Sequence, residues 1–493
     1  MVTDAQKLTP AKLLDLAIVG CLLLFVVAAP HSIAGAQTSW LVGMSIWALR
    51  FIFRPRPKLQ RTPVDYLLLG FFIITGLSAF LSYEPMVSIG KLRAASLFTI
   101  IYLFAQNVPS LKAVRWLAVA LIVSCFANVL FTLGERVIGR GIKVHGVAQS
   151  SVLYGAGVRD GDTLLTINGK PLRNPSELVD ALSEPSRMTS DIRIYRYEWQ
   201  PVFRVAQGQL TPGNSPTEQL GISQWSRGRD WRASGFFGHY VTYAEVLQLI
   251  FAIALGIFIC IPNKRSWLGV ALLILLAGFA AALFLTVTRA VWLGCLLSTA
   301  LILVLTLKRR TVIVVAALAI PVILAGLFLL QQKRNVGFID RADHSTTWRE
   351  IVWKEGANLL VSSPRHLLIG VGMDSIKKRA RQWGMFDQGR IPMGHMHSNF
   401  LQIALERGLP ALLLWLAFLL VYARTLWRRI REGTNVPWIE RGLLLGALGG
   451  LLGFFVSGVV HYNWGDSEVV MVLYLIMGIS LGINRLLPEA SPR

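Results

Sequence analysis

The chain has 493 residues, of which 54% are hydrophobic, and a formal net charge of +22. Its mean hydropathy of +0.54 is too high for a soluble protein of this size, so most of the chain must lie in a membrane. The basic residues are gathered in short clusters without interleaved aromatic side chains, which excludes a nucleic-acid-binding surface.

Hydropathy predicts about twelve membrane-spanning helices, because a span needs about 20 mostly apolar residues. The first segment lacks a following cleavage pattern, so it is predicted to be a retained helix and not a signal peptide. The predicted spans are residues 12–29, 33–53, 64–82, 87–105, 113–133, 236–261, 267–287, 290–307, 311–330, 399–422, 441–460 and 468–486.

Lys and Arg are concentrated in alternate connections between the predicted spans, for example at Lys308, Arg309 and Arg310. This is the positive-inside pattern, and it predicts that both termini are cytoplasmic and that two long segments lie outside. The predicted organisation is 1–133 (spans one to five), 138–206 (a small domain), 207–232 (a linker), 233–330 (spans six to nine), 331–398 (a large loop) and 399–493 (the last three spans).

The four cysteines are not predicted to form disulfides or a metal site. None has a metal-ligand spacing, and all fall inside predicted spans, so they are interpreted as packing residues. They are Cys21, Cys125, Cys260 and Cys295.

The first long segment carries the pattern of a small α+β domain. A turn at Gly161-Asp162 precedes an alternating strand at 163–167, an Asn168-Gly169 hairpin turn and a helix beginning near Ser176. A further strand is predicted at 191–197. Asp160 and Asp162 also match an Asp-x-Asp metal pattern, but the turn accounts for both residues.

Residues 138–206 resemble a bacterial PDZ domain in this Gly-Asp, Ile-Asn-Gly and helix pattern. The resemblance implies a groove that takes an extended peptide by strand addition, with backbone N–H groups holding a carboxylate. The loop that would do so is placed at Gly141, Ile142, Lys143 and Val144, and a periplasmic protein is the implied partner. A rigid spacer without a ligand is the alternative.

The second long segment is predicted to contain an amphipathic helix at the membrane interface over residues 347–360, because its apolar residues recur at helical spacing. Pro364 is predicted to end this helix, and Gly370 and Gly372 to begin a new turn.

Five residues are candidates for chemistry, and the predicted topology puts all of them on the outer side: Arg289, Arg349, His239, His395 and His397. Arginine keeps its charge at low dielectric and holds phosphate through several N–H donors. A histidine nearby could take a proton from a hydroxyl near neutral pH. Together they indicate a site for a diphosphate-bearing substrate.

Each candidate also has a structural interpretation. Arg289 could extend to the lipid headgroups, and Arg349 could pair with Asp340 or Glu350 on a solvated face. His397 could cap the tenth span.

Arg289-Ala-Val-Trp-Leu resembles the Arg-x-x-x-Leu motif of the bacterial O-antigen ligase and polymerase superfamily. His397-Ser398, followed by nine residues and Gly408, resembles that family's His-Asn/Ser/Gln motif, although Ala411 stands where ligases usually carry Gly, Thr or Tyr. Arg349 follows the family's large-loop pattern. The resemblance covers residues 232–420.

The resemblance implies a polytopic, glycosyltransferase-C-like α-helical fold in the bacterial inner membrane, with the PDZ-like insert outside. It also implies a metal-independent, inverting transfer of a glycan from an undecaprenyl-diphosphate-linked donor, without a cofactor. Arg289 and Arg349 would neutralise the diphosphate, His397 would orient or deprotonate the acceptor hydroxyl, and His239 and His395 would contact substrate. Lipid A core, another glycan and a protein hydroxyl remain open as acceptors.

A membrane protease and a transporter are the two other classes of function to compare with the sequence. A zinc intramembrane protease would need His-Glu-x-x-His, which does not occur in the sequence. A serine protease would need Gly-x-Ser-x-Gly or a related opening with a partner histidine in a span, and the sequence offers no convincing candidate. A transporter of lipid-linked sugar would also have about twelve spans. The polar residues of a transporter would lie near the bilayer midplane, whereas those of this chain gather at one side of the membrane. The transporter is therefore the second hypothesis.

Overall fold

In a computed structural model of the protein, residues 9–184, 188–196, 200–314, 317, 344–392, 394–432 and 436–487 are described. They form two compact units, a helical unit (Met1–Asn128 with Phe236–Arg493) and a smaller unit (Val129–Gly235) that carries a β-sheet. One helix, Leu111–Ile138, begins in the helical unit and ends in the small unit.

The helices, in chain order, are α1 (Pro10–Ala28), α2 (Ile33–Arg50), α3 (Asp65–Phe80), α4 (Pro85–Gly90), α5 (Leu92–Ala95), α6 (Thr99–Asn107), α7 (Leu111–Ile138), α8 (Val152–Gly155), α9 (Pro175–Ser183), α10 (Pro216–Gln219), α11 (Tyr240–Cys260), α12 (Trp267–Thr286), α13 (Arg289–Thr306), α14 (His344–Val361), α15 (Pro364–Leu368), α16 (Ser375–Arg379), α17 (Met385–Gly389), α18 (Asn399–Glu432), α19 (Trp438–Ser457) and α20 (Ser467–Leu486).

Nine helical stretches within the described residues are long and apolar enough to cross a membrane, so the chain is a multi-pass membrane protein. The predicted number of twelve is not confirmed. Helix α2 forms where the second span was predicted but is not among the nine, and Asp65–Phe80 is shorter than a full span. The predicted span at 311–330 lies almost entirely outside the described residues.

Glycines allow helices α11 and α19 to pack backbone against backbone. A Cβ atom on Gly446 would lie only 2.5 Å from the Cα of Ile253, and one on Gly256 would lie 2.2 Å from the carbonyl oxygen of Gly442. Such close approach is the usual way in which membrane helices associate, because lipid gives no hydrophobic driving force between them.

Helix α18 is interrupted where a single span was predicted. Gly408 has φ +83° and ψ 166°, and a Cβ there would lie 2.3 Å from the carbonyl oxygen of Leu368. Pro410 follows within the helix and supplies no backbone N–H. The tenth predicted span therefore consists of a short buried helical segment, a break at Gly408 and a long apolar segment.

The small unit contains a six-stranded antiparallel sheet. Its strands are β1 (Arg140–Val147), β2 (Thr163–Ile167), β3 (Lys170–Pro171), β4 (Thr189–Tyr195), β5 (Val202–Ala206) and β6 (Ile222–Gly228). The order is β5-β4-β2-β1-β6, with β3 paired to β2. A core of aliphatic side chains, including Ile142, Leu178 and Ile192, holds α9 against the sheet.

The structure corrects the predicted peptide-holding loop. Gly141, Ile142, Lys143 and Val144 lie within β1, which pairs with β2 on one side and β6 on the other. Ile142 and Val144 are fully buried. Because both edges of this strand are already paired, it does not offer the free N–H groups that a carboxylate-holding loop needs.

The predicted linker at 207–232 is also corrected, since residues 222–228 form β6 and complete the sheet. The helix predicted from Ser176 is α9, and its N-cap is Asn174, whose Oδ1 accepts from the Glu177 N–H at 3.1 Å. Asp162 is buried, and its carboxylate accepts a hydrogen bond from Arg196 Nε at 2.8 Å, which accounts for it without a metal.

Candidate functional site

Several helix ends meet at one end of the helical unit. Helices α11 and α19 are antiparallel, because Gly256 faces Gly442 whereas Gln248 faces Gly453. Helix α13 also contacts Gln248, through Gly294 near its own start. The beginnings of α11 and α13 therefore lie at the same end as the C-terminus of α19.

His395 and His397 lie together just before α18. Their ring centroids are 4.0 Å apart, and the His395 ring lies 5.7 Å from that of Tyr462. His397 has φ +48°, and its N–H donates to His395 Nδ1 at 3.2 Å. This left-handed backbone conformation, which is uncommon for a residue other than glycine, brings the two imidazoles together, tilted by 42°, at the helix entrance.

Helix α14 is fastened to this turn. Trp353 Nε1 donates to the Met396 carbonyl oxygen at 2.7 Å, and a Cβ on Gly356 would lie 2.6 Å from Met396 Sδ. Val352 is fully buried in a hydrophobic cluster that also contains Met396. The predicted helix at 347–360 is thus present, and Arg349, one turn before Trp353, is held beside the histidines.

Burial and nearby cationic groups make both histidines weak bases. Burial, followed by the charge of Lys377, lowers the pKa of His395 to about 4. Burial, followed by the charges of His395 and Arg349, lowers the pKa of His397 to about 2. Both imidazoles are therefore neutral at physiological pH, and each has a lone pair that can accept a hydrogen bond. The charge of Arg349 contributes to the low pKa of His397, so the structure brings these two predicted residues close to each other.

Two further histidines belong to the same cluster. His239 is exposed and caps α11, with its Nδ1 accepting from the Val241 N–H at 3.3 Å. His461 is buried and hydrogen-bonds through Nδ1 to Glu245 Oε1 at 2.8 Å. Both contribute to lowering the pKa of His395 and of His397, which places them on the same side of the protein.

Arg289 is the first residue of α13, with Thr288 at the N-cap position. It was predicted to lie in the turn between two spans, and it lies at the helix end that follows this turn. The shared end of α11 and α13 puts Arg289 on the histidine side of the protein.

A buried polar network supports the entrance of α18. Asn399 Nδ2 donates to Asn463 Oδ1 at 2.5 Å, and Asn399 Oδ1 accepts from the Trp464 N–H at 3.0 Å. Gln402 Oε1 accepts from the Met396 N–H at 2.7 Å, and Gln402 Nε2 donates to Glu406 Oε1 at 2.8 Å. These bonds fix the 395–397 turn relative to the helices.

A cavity of about 470 Å³ opens beside His395, with a polar wall and an apolar wall. Asp374 on the polar wall holds Lys91 at 2.6 Å and Lys377 at 3.2 Å. Burial alone would raise the pKa of Asp374, but the hydrogen bond from Lys91 and the charge of Lys377 outweigh it and lower that pKa. The apolar wall includes Leu68 and Phe98.

Sequence reasoning missed most of the supporting residues. Glu245 and His461 are far apart in the chain, and neither stands in a recognised motif. A signal was available, because a carboxylate within an otherwise apolar span is costly and points to a buried partner. Within the described residues no cluster of three or more His, Cys, Asp or Glu side chains could hold a metal ion.

The fold and the site define a multi-pass membrane protein with a cavity lined by polar and apolar residues beside its histidine cluster. Residues 272–416 match the model of a family described as O-antigen ligase. The matched stretch includes Arg289, Arg349, His395 and His397. A comparison with curated proteins gave no match. The family match supports a glycosyl-transfer function in the membrane for this chain.

Proposed function

We propose that the protein is a membrane glycosyltransferase that moves a glycan from an undecaprenyl-diphosphate-linked donor to an acceptor hydroxyl, without a metal and with inversion. The observation that carries the proposal is the clustering of Arg349 with the His395–His397 turn, inside the segment similar to O-antigen ligases. A diphosphate leaving group needs fixed positive charge, and this cluster supplies it.

Arg349 and Arg289 are the proposed diphosphate ligands. As the bond between the sugar and the diphosphate breaks, negative charge grows on the phosphate oxygens, and guanidinium groups held at low dielectric stabilise it. His397, being neutral, accepts a hydrogen bond from the acceptor hydroxyl and orients it. An anionic donor beside His397 would offset the positive neighbours that lower its pKa.

On the positive-inside pattern we propose that this end of the protein faces the periplasm, that both termini are cytoplasmic and that the chain lies in the bacterial inner membrane. Lipid A core (a ligase), another glycan repeat (a polymerase) and a protein hydroxyl (an oligosaccharyltransferase) are all compatible with one acceptor hydroxyl beside His397. His239 and His395 are the proposed contacts to the sugars.

Replacing Arg289 with alanine separates the transferase from a transporter of lipid-linked sugar. In cells that lack the wild-type protein, we expect the variant to reach the membrane, to form little surface glycan and to leave lipid-linked donor on the outer face. A transporter defect would leave the donor on the cytoplasmic face. The control is Arg265→Ala, an exposed cation at the opposite helix end, which should restore wild-type glycan.

We propose that the small unit binds an extended segment of a periplasmic partner, or of a protein acceptor, by strand addition at a sheet edge. Strand β6 and strand β5 are the edges of the main strand order. This replaces the loop at 141–144, whose strand is paired on both sides, and keeps the PDZ-like mode of recognition.

Deleting residues 140–228 tests the role of the small unit. The deletion can be closed by a short Gly-Ser linker, because Arg140 and Gly228 are paired neighbours in the sheet. We expect cross-linked recovery of a partner from whole cells to be lost and glycan output to fall several-fold, with normal membrane level. Unchanged recovery and unchanged output would show that the unit is only a spacer.

A further inference from the structure

The cavity has a contiguous group of charged side chains in its lining. Asp374 holds Lys91 at 2.6 Å and Lys377 at 3.2 Å. The Asp374 N–H donates to Glu406 Oε1 at 3.0 Å, and Glu406 Oε2 lies 3.7 Å from Arg407 Nη2. Three cations therefore share two carboxylates in this group, which leaves it with an excess of positive charge.

The Glu406 carboxylate is already satisfied by donors other than Arg407. Its Oε1 accepts from Gln402 Nε2 at 2.8 Å as well as from the Asp374 N–H. Its Oε2 accepts from the Tyr462 hydroxyl at 3.3 Å. The distance of 3.7 Å to Arg407 is longer than a hydrogen bond. Glu406 therefore keeps its hydrogen bonds when Arg407 is replaced.

Arg407 is a buried cation whose donors are not all used. It is 6% exposed and lines the cavity from α18, next to the break at Gly408. Its guanidinium lies 5.7 Å from the centroid of the Phe71 ring and hydrogen-bonds to Tyr462. Among the described residues, its Nε and Nη1 have no hydrogen-bond partner. Unpaired donors on a buried charge lower stability, so the fold alone does not account for Arg407.

The other titratable groups of the lining are engaged with protein groups or are donors. Asp466 accepts from the Thr242 hydroxyl at 2.5 Å and from the Glu468 N–H at 3.1 Å, and the Glu468 side chain hydrogen-bonds to Asp466. His395 accepts the His397 N–H at Nδ1. Because the His395 imidazole is neutral, its proton is on Nε2, which is a donor. The lining therefore favours a ligand that accepts hydrogen bonds and carries negative charge.

We propose that this cavity is the acceptor subsite and that Arg407, together with the two lysines, binds an anionic group of the acceptor. The inference rests on the proposed glycosyl transfer, in which two other arginines hold the donor diphosphate and the acceptor hydroxyl lies beside His397. The His395 ring lines the cavity and is 4.0 Å from the His397 ring, so a molecule in the cavity lies next to that hydroxyl position.

The lining also indicates the chemical class of the acceptor. Phosphate and carboxylate are the groups that guanidinium and ammonium ions bind most strongly. The apolar wall, which includes Leu68, Leu97 and Phe98, fits an apolar part of the same molecule. A volume of about 470 Å³ is in the range of small-molecule sites. The acceptor is therefore anionic and amphipathic, and not a neutral glycan.

The test uses the full chain purified in detergent, with undecaprenyl-diphosphate-linked glycan as donor. A detergent extract of membranes from cells that lack the protein supplies the acceptor. Arg407→Met removes the charge and keeps an unbranched apolar side chain. We expect the apparent KM for the extract to rise about 10–100-fold, the factor for one lost charged hydrogen bond, with kcat and the donor KM within about threefold of wild type. Arg407→Lys should give an intermediate KM.

Lys377→Gln provides a second variant whose folding is not at risk, because the Lys377 side chain is 49% exposed. Asp374 keeps Lys91 as its partner in this variant. We expect the apparent KM for the extract to rise several-fold. Lys378→Gln is the matched control, since Lys378 is the next residue, is exposed and does not line the cavity. It should keep the wild-type KM.

Arg50→Met distinguishes acceptor binding from a merely structural role. Arg50 is also 6% exposed, but its Nε donates to Asp15 Oδ1 at 2.8 Å and its Nη1 donates to the carbonyl oxygens of Phe53 and Pro55. Thermal unfolding should therefore occur at a lower temperature in Arg50→Met than in Arg407→Met, whereas the KM for the extract should be normal in Arg50→Met.

A normal KM for the extract in both Arg407→Met and Lys377→Gln would overturn the proposal. A rise confined to the donor KM would also overturn it, because Arg407 would then be a donor ligand. Treating the extract with alkaline phosphatase before the donor is added identifies the anionic group. Loss of the difference between wild type and Arg407→Met indicates phosphate, and persistence of that difference indicates carboxylate. If Arg349→Ala transfers glycan at the wild-type rate, the proposed function itself fails.

Discussion

Replacing Arg349 with alanine is expected to lower glycan transfer by about 10²–10³-fold, the loss that follows removal of one fixed donor from a developing negative charge. Arg349 is held by α14, which is bonded through Trp353 to the Met396 carbonyl oxygen beside the histidines. The guanidinium is therefore prepositioned, and its removal is not compensated by movement of the helix. Transfer of lipid-linked glycan in membrane vesicles measures the effect.

Arg349→Lys tests whether charge alone is sufficient. Lysine keeps the positive charge but is a point donor without the planar fork, so we expect it to recover only part of the lost rate. Lys354→Ala is the control on the same helix, since Lys354 is an exposed cation one turn further along α14. If Arg349→Ala retained half of the wild-type rate, Arg349 would not be a diphosphate ligand.

Arg349→Ala should also affect the histidines directly. The charge of Arg349 is one cause of the low pKa of His397, after burial and the neighbouring His395. Its loss should raise that pKa towards the ordinary value without bringing the imidazole into the positive form at neutral pH, because burial remains the larger cause. A defect that persists unchanged between pH 6 and 8 would therefore come from lost phosphate binding and not from protonation of His397.

The local elements of the site could be predicted from the sequence, because they are short and continuous. The helix at 347–360 follows from its periodicity, and the sequence also shows His395 and His397 immediately before an apolar span. The hydropathy of the apolar segments likewise predicts the positions of most spans. The break at Gly408 was not predicted, because it depends on contact with the Leu368 carbonyl oxygen from another part of the chain.

Long-range pairing explains what sequence reasoning could not supply. Residues 222–228 have the composition of a linker, yet they pair with β1 across an interval that includes four other strands. Glu245 and His461 meet only because α11 and α19 are antiparallel and in one particular register. Neither pairing register is encoded in a local sequence pattern. The partners of polar residues in membrane spans can therefore be identified only from the three-dimensional structure.

That register is set by glycines, and Gly446→Leu is therefore expected to abolish glycan transfer although Gly446 lies far along α19 from the site. A Cβ on Gly446 would lie 2.5 Å from Ile253 Cα and 2.6 Å from the Ala252 carbonyl oxygen. These are backbone atoms of α11 that cannot rotate away, so a side chain forces the helices apart. Separation by even about 1 Å would disrupt the bond between Glu245 and His461.

Two alanine substitutions in α19 provide the comparison. Gly446→Ala introduces the clash in its smallest form and should lower the stability of the protein in detergent by about 1–3 kcal/mol. Gly450→Ala, one turn away, would place its Cβ 3.5 Å from Leu249 Cδ2, an ordinary contact, and should not be destabilising. Thermal unfolding of the purified variants, followed by size-exclusion chromatography, measures both. Equal stability of the two variants would show that close backbone packing at Gly446 does not hold α19 against α11. Substitution of Gly446 would then not be expected to disrupt the hydrogen bond between Glu245 and His461.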